Sequence, residues 1–372
     1  MFEHGLTIRF ALRTAGVSAL AFSLLSCTQA ATKTSSISAR PSVAATGSFF
    51  STIANGARSL FESQTLSLAL DRIDQRQLPL DRTYRRSGTG RGVTVYVFDG
   101  GVLATHPELA GRVRKGYDAW PDDDAQCNAH GTAVAGAVAG RTLGVAPEAE
   151  IVDIHGQECG ELRGTVEAIV QGVHWAIEDH RATGRPAVAN WSFIADTSAD
   201  IPALDSAVAQ LRAAGIPVIV SAGNLEVNAC KVSPGNANGA VVVGASSVER
   251  DPATQKLVDM RAPNTAFGPC VDLYAPGDSV LLPSFDATRT ANVQLWNGTS
   301  MSTGYVSGAA ALYLETHPTA SPDDVLRYLR MMATMNVVQD TRSPLSWLLY
   351  VGAARDDNRS VAEIRAQLAQ RP

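Results

Sequence analysis

The chain has 372 residues, 45% hydrophobic and 18% charged, enough for one large or two ordinary domains with a well-buried core. That composition excludes a small stapled fold, a disordered chain and a multi-spanning membrane protein. Lys and Arg total 31 against 36 Asp and Glu, a net charge of −5, and no basic run of the kind that tracks phosphates occurs, so nucleic acid is not expected as a partner.

At the amino terminus Arg9 and Arg13 outweigh Glu3, and Ala15 to Ser26 is an apolar stretch too short to span a bilayer. This predicts an export signal over residues 1–26. The stretch ends in Leu24-Leu25-Ser26-Cys27, which resembles the lipobox of bacterial lipoproteins, where a signal peptidase cuts before the cysteine and the thiol carries diacylglycerol. On that reading Cys27 is the first mature residue and the lipidation site. The alternative is ordinary cleavage after Ala30, in the small-residue context Thr28-Gln29-Ala30. Either way the protein is exported, as a membrane-anchored lipoprotein or in periplasmic or secreted form, touching a membrane through a lipid anchor at most. Residues 27–65, rich in Ser, Ala and Thr, read as a tether or short pro-segment, with folded structure expected from about Leu66.

From Val93 onward, apolar β-branched runs at 93–98, 149–154, 187–193, 216–223 and 240–246 predict strands. Between them Val166, Ile169, Val170, Val173 and Ile177 fall at helical spacing, as do Leu204, Val208 and Leu211. Continuous apolar strands alternating with helices predict an α/β fold with a parallel sheet covered on both faces. Ser321-Pro322-Asp323-Asp324 combines an N-cap, a proline at the first helical position and acids at the positive helix end, which predicts a helix to about Met332. The tail 353–372 contains Ser360 and Glu363 at capping-box spacing.

Three segments put reactive side chains at the ends of predicted elements, where sites form in open parallel sheets. Asp99 ends the strand VTVYVF, His130 opens HGTAVAGAVAG, and Ser300 lies in NGTSMSTGYVSGAAAL, a glycine-flanked turn running into a helix. A serine hydroxyl becomes a useful nucleophile when a base takes its proton, a third group fixes the base's tautomer, and donors await the oxyanion. Asp99, His130 and Ser300 can fill the first three roles. Asn224, ending IPVIVSAGN, and the Ser300 N–H at a helix amino end can serve as the oxyanion donors. Each segment alone reads more readily as a turn, a loop or a helix start, and it is the segments taken together that carry the catalytic reading. His106, His155, His174 and His180 lack such a context and read as structural or surface residues.

GRGVTVYVFDGG, HGTAVAG, SAGN and GTSMSTG, in this order, resemble the aspartate, histidine, oxyanion-asparagine and nucleophile segments of the subtilisin-like serine peptidases, in the branch similar to proteinase K. The resemblance continues through LALDRIDQRQLPLD (68–81) and LLYVGA near residue 350, roughly three quarters of the chain. It implies a subtilisin-like three-layer fold over 66–352, with a mostly parallel central sheet and helices on both faces. It implies a polypeptide substrate bound by Ser192, Phe193 and Ile194 on one edge and by Ser221, Ala222 and Gly223 beside it. It also implies disulfides Cys127–Cys159 and Cys230–Cys270, which leaves Cys27 as the odd one of five cysteines.

Several positions depart from the family pattern. The hydroxyl residue that usually follows the aspartate is Gly100, which weakens support for the site. The usual Ala-Thr-Pro-His after the serine is Ser302-Thr303-Gly304-Tyr305, which predicts a looser helix start. The family's Ser-Leu-Gly is Ser192-Phe193-Ile194, and its Gly-Ser-Gly edge is replaced near Glu161-Leu162-Arg163-Gly164, which predicts a narrowed primary pocket. No cofactor is required on this reading. The calcium-binding aspartate that often follows VGAS is Ser247, weak calcium sites elsewhere are not readable from loops, and no Cys/His cluster has zinc spacing. The segment before the domain is too short for the family's usual inhibitory pro-domain. The expected function is therefore an exported serine endopeptidase of restricted specificity. Two other classes compete: a non-catalytic or weakly active binding protein that presents the altered groove, and an esterase using the same triad. The natural substrate and oligomeric state are not written in the motifs.

Overall fold

A computed structural model describes residues 67–121, 128–158, 164–195 and 201–352, together with a short backbone strand, β1 (Thr7–Arg9). The remaining export and tether residues with Cys27, the residues Cys127, Cys159 and Glu161 to Arg163, and the tail 353–372 lie outside the described residues.

After helix α1 (Leu68–Ile73), the chain forms β2 (Thr94–Asp99), β3 (Val113–Asp118), α2 (His130–Ala139), β4 (Glu150–His155), β5 (Gly164–Thr165), α3 (Val166–Thr183), β6 (Ala187–Trp191) and β7 (Ile194–Ala195). There follow α4 (Pro202–Ala213), β8 (Val218–Ser221), β9 (Val241–Arg250), β10 (Leu257–Arg261), β11 (Leu273–Pro276), β12 (Val280–Phe285), β13 (Ala291–Trp296), α5 (Thr299–Thr316), α6 (Pro322–Met332) and β14 (Val338–Gln339). The central sheet has the order β14-β10-β9-β8-β6-β2-β4-β3, with β11 also on β9. It is parallel except where β10 meets β9. The expected subtilisin-like α/β architecture is the one observed.

The apolar runs become the inner strands because both faces of a parallel sheet are covered. Val95, Val97 and Ile151 pack with α2 and α5 on one face; Tyr96, Phe98, Val152 and Ile154 pack with α3 and α4 on the other. Every residue of α2 is buried, so this helix is apolar all round rather than amphipathic. β3, with Arg114, Lys115 and Asp118, is a half-buried edge strand. The Thr165 hydroxyl caps α3, and Ser321 with Asp324 forms a capping box on α6, as its sequence predicts. Cys230 and Cys270 form a disulfide.

Outside the central sheet, β12 and β13 form an antiparallel hairpin. β1 lies between β5 and β7, antiparallel to both, with Ile8 opposite Gly164 on one side and Ala195 on the other.

One buried ion pair fastens the start of the domain to its far edge. Arg72 of α1 donates from Nε and Nη2 to the two carboxylate oxygens of Asp259 on β10, at 2.7 and 2.8 Å. Removing one partner leaves the other charge buried and uncompensated. Asp259→Ala is expected to lower the unfolding free energy by about 3–5 kcal/mol, read from urea denaturation; an unchanged midpoint would contradict this assignment.

Candidate active site

Asp99 is the last residue of β2, His130 the first of α2 and Ser300 the second of α5, and all three are buried. The His130 Nδ1 lies 2.9 Å from each carboxylate oxygen of Asp99, whose Oδ1 also accepts the Gly100 N–H at 2.8 Å. A carboxylate accepts only, so this contact holds the ring proton on Nδ1 and leaves Nε2 with a lone pair.

The packing of two helices sets the serine level with the histidine. A Cβ on Gly304 would come within 2.9 Å of the Val134 carbonyl oxygen, and one on Gly308 within 2.9 Å of that of Val138. These contacts keep a constant residue offset, so α2 and α5 run side by side in the same direction. One turn earlier the same offset sets Ser300 level with His130. Gly304 therefore does not loosen the helix start: α5 is continuous from Thr299 to Thr316, and the missing side chain permits the close approach. The edge of Trp296 meets the His130 ring, with centroids 6.3 Å apart.

Asn224 stands just past β8, and its Oδ1 accepts from the Thr299 N–H and hydroxyl at 2.9 and 3.0 Å. Thr299 Oγ1 in turn accepts the Gly223 N–H at 3.2 Å. Pinning Oδ1 fixes which end of the amide is the donor and directs Nδ2, which lies beside Gly298, away from Thr299. The nucleophile segment is held from below by a buried network. Ser307 donates to Asn190 Oδ1 at 2.8 Å, Asn190 Nδ2 donates to Ser192 Oγ at 2.9 Å, and Ser192 Oγ donates to the Ser300 carbonyl at 3.1 Å. The Ser300 hydroxyl donates to the Ser192 carbonyl at 3.2 Å. Thr299, Asn190, Ser307 and Trp296 were not singled out by the motifs. For Asn190 and Ser307, a signal existed in a polar side chain inside an otherwise apolar or small-residue run.

The residues that the family resemblance assigns to substrate binding differ in their contacts. Phe193 stacks on Trp191 at 5.3 Å and is buried in the core, so its side chain is taken up by packing. Ile194 fills the space beside Gly223: a Cβ on that glycine would lie 3.0 Å from Ile194 Cδ1 and 3.1 Å from Cγ2. Ser221 donates to the Phe193 carbonyl at 3.3 Å, and Ala222 is bonded through its N–H to Val243 on β9. Among the unassigned histidines, His106 bridges to the Asn292 carbonyl of the hairpin at 2.9 Å, and His155 pairs with Asp118 at 2.7 Å, both structural contacts. At the calcium position the Ser247 hydroxyl donates to Glu249 at 2.7 Å.

Fold and site together have the layout of an α/β protein of the serine-hydrolase type. Residues 90–354 match the profile described as Subtilase family, and the chain belongs to that family of serine endopeptidases. It is 41% identical over 284 residues to an extracellular serine proteinase of Thermus sp. (strain Rt41A), covering 76% of this chain and 65% of that protein. It is 38% identical over 284 residues to alkaline serine exoprotease A of Vibrio alginolyticus, covering 76% of this chain and 49% of that protein. The chain thus spans less than two thirds of the length of these relatives. The crystal structure of a cold adapted subtilisin-like serine proteinase superimposes with a TM-score of 0.67 at 38% identity, covering 77% of this chain and 98% of that one.

The α2–α5 contact has no room to spare, since a Gly304 Cβ would also lie 2.8 Å from that of Ala137. Gly304→Ala is expected to separate the helices, costing about 1–3 kcal/mol of stability and lowering kcat with it. Wild-type values of both, from thermal unfolding and peptide hydrolysis, would show that the close approach does not set the site.

Proposed function

We propose that the protein is an exported serine endopeptidase that works through an acyl-enzyme. His130 Nε2 takes the proton of Ser300 Oγ as the oxygen attacks the peptide carbonyl carbon. Asp99 holds Nδ1–H and stabilises the imidazolium so formed. The developing oxyanion receives hydrogen bonds from Asn224 Nδ2 and the Ser300 N–H, at a helix amino end whose dipole favours negative charge. The imidazolium then gives its proton to the leaving amine. Water, deprotonated by the same imidazole, attacks the acyl ester and releases the carboxylate product and the serine. The observation that carries this reading is the double 2.9 Å contact between Asp99 and His130, on a helix packed in step with the helix of Ser300. Relatives named as extracellular serine proteinase and alkaline serine exoprotease support the same chemistry, and the first supports export. Cys27 as a lipid anchor belongs to this proposal.

The substrate enters as a strand. The β5–β7 slot already pairs with an extended backbone segment, β1, in antiparallel register on both sides, which is the mode of β-strand addition. Cleavage after Ser26 or after Ala30 removes Thr7–Arg9 and frees the slot for substrate. Ile194 against Gly223 reduces the space for the side chain before the cleaved bond, so selection falls on small residues there.

A fluorophosphonate probe should label wild type at Ser300 and leave Ser300→Ala unlabelled; an unlabelled but folded wild type would favour the binding-protein reading. Asn224→Ala should lower kcat by roughly two to three powers of ten with little change in KM, and an unchanged rate would remove Asn224 from the oxyanion site. Because the base must be neutral, kcat/KM should fall on acidification. Ile194→Gly should shift preference toward larger side chains at the cleaved bond, measured with a peptide series differing only there. An unaltered preference order would mean that Ile194 does not bound the pocket.

A further inference from the structure

A second buried carboxylate lies beside the catalytic aspartate, and the mechanism above does not use it. In β4 the residues opposite Val97 and Asp99 of β2 are Asp153 and His155. Side chains alternate along strands, and Val95, Val97 and Ile151 face α2, so Asp99, Asp153 and His155 share that face. Asp153 is buried; its Oδ2 accepts the Val102 N–H at 3.1 Å, and its Oδ1 has no partner among the described residues.

Val102 belongs to the turn that follows Asp99 and packs against the first turn of α2. Gly100 and Gly101 follow Asp99, and Gly101 has φ +101°, a conformation that costs glycine little. The Gly101 carbonyl packs against the first turn of α2, where a Cβ on Gly131 would lie 2.4 Å from it. The Leu103 N–H donates to Thr132 Oγ1 of the same turn at 2.8 Å. Two glycines impose no side-chain constraint, so the hydrogen bonds at Val102 and Leu103 set the shape of this joint.

We propose that Asp153 is a positioning residue of the catalytic site, holding the turn from Gly100 to Val102 and through it the seating of His130 on Asp99. This rests on the catalytic reading given above. The carboxyl is also electrostatically coupled to the site. Burial raises its pKa to about 7, aided by the charges of Asp99 and Asp118 and opposed by the Val102 N–H and by Lys115. The charged and titratable groups around it are Asp99 on β2, Lys115 and Asp118 on β3, His155 on its own strand and His130 on α2. Asp118 is engaged by His155 at 2.7 Å and by Lys115 at 2.8 Å. Ionised Asp153 accepts more strongly from Val102 and adds negative potential where the His130 imidazolium develops. Its ionisation therefore favours the transition state.

Asp153→Ala and Asp153→Asn separate anchoring from charge. On a peptide p-nitroanilide, Asp153→Ala is expected to lower kcat roughly tenfold or more with KM within about twofold of wild type. Asp153→Asn keeps an oxygen that accepts the Val102 N–H and should recover most of that kcat. Its kcat/KM profile should rise on the acid side through one ionisation, where wild type shows a further one near neutral pH. Wild-type kcat in Asp153→Ala, or an acid limb of Asp153→Asn identical to that of wild type, would overturn the proposal. If Asp153→Ala does not fold, the comparison of acid limbs decides. Failure of the fluorophosphonate probe to label wild type at Ser300 would instead overturn the catalytic reading, and this inference with it.

Discussion

The site depends on the close, same-direction packing of α2 and α5. Each helix carries one of the candidate reactive groups in its first turn, so their relative shift and separation set the distance between His130 and Ser300. Gly304 and Gly308 allow the backbones to approach, and the carbonyls of Val134 and Val138 occupy the space that side chains would take. The other face of α2 is equally constrained: a Cβ on Gly136 would collide with Pro283 of the β12–β13 hairpin. That hairpin also carries Trp296, whose ring meets His130. A helix held on both sides by backbone-level contacts cannot slide without opening cavities or clashes, and close packing of this kind is what preorganisation consists of.

Polar groups inside the core supply what apolar packing lacks, namely direction. The chain from Ser307 through Asn190 and Ser192 ends on the Ser300 backbone, and the chain from Gly223 through Thr299 ends on Asn224. A buried hydrogen-bonding group left without its partner costs about 1–3 kcal/mol, so each member of such a chain resists rotation of its neighbour. Ser300 and Asn224 are thereby oriented by buried hydrogen bonds as well as by packing.

Much of this arrangement was legible in the residues. The five apolar runs became β2, β4, β6, β8 and β9 because inner parallel strands are buried on both faces and carry an uninterrupted signal. β3 was missed because Arg114, Lys115 and Asp118 dilute that signal at an edge, and the hairpin was missed because Pro283 interrupts β12 and β13 has an exposed face. Asp99, His130 and Ser300 were readable as candidates because they sit at strand and helix ends in a fixed order. The role of Gly304 was not, since a glycine's packing partner lies on another helix 170 positions earlier in sequence, at Val134, and only the folded arrangement reveals it. The same holds for Asp153, which reads along the chain as one polar residue in an apolar strand and gains meaning from the turn across the sheet.

The central claim is that one site joins Asp99, His130, Ser300 and Asn224 beside a slot for an extended chain. The most direct measurement is a crystal structure of the mature protein with a peptide boronic acid. The account predicts a bond from Ser300 Oγ to boron and a boronate oxygen within hydrogen-bonding distance of Asn224 Nδ2 and the Ser300 N–H. It also predicts His130 still on Asp99, with the peptide paired as a strand between β5 and β7. A boronate oxygen turned away from Asn224, or a peptide lying outside that slot, would contradict it.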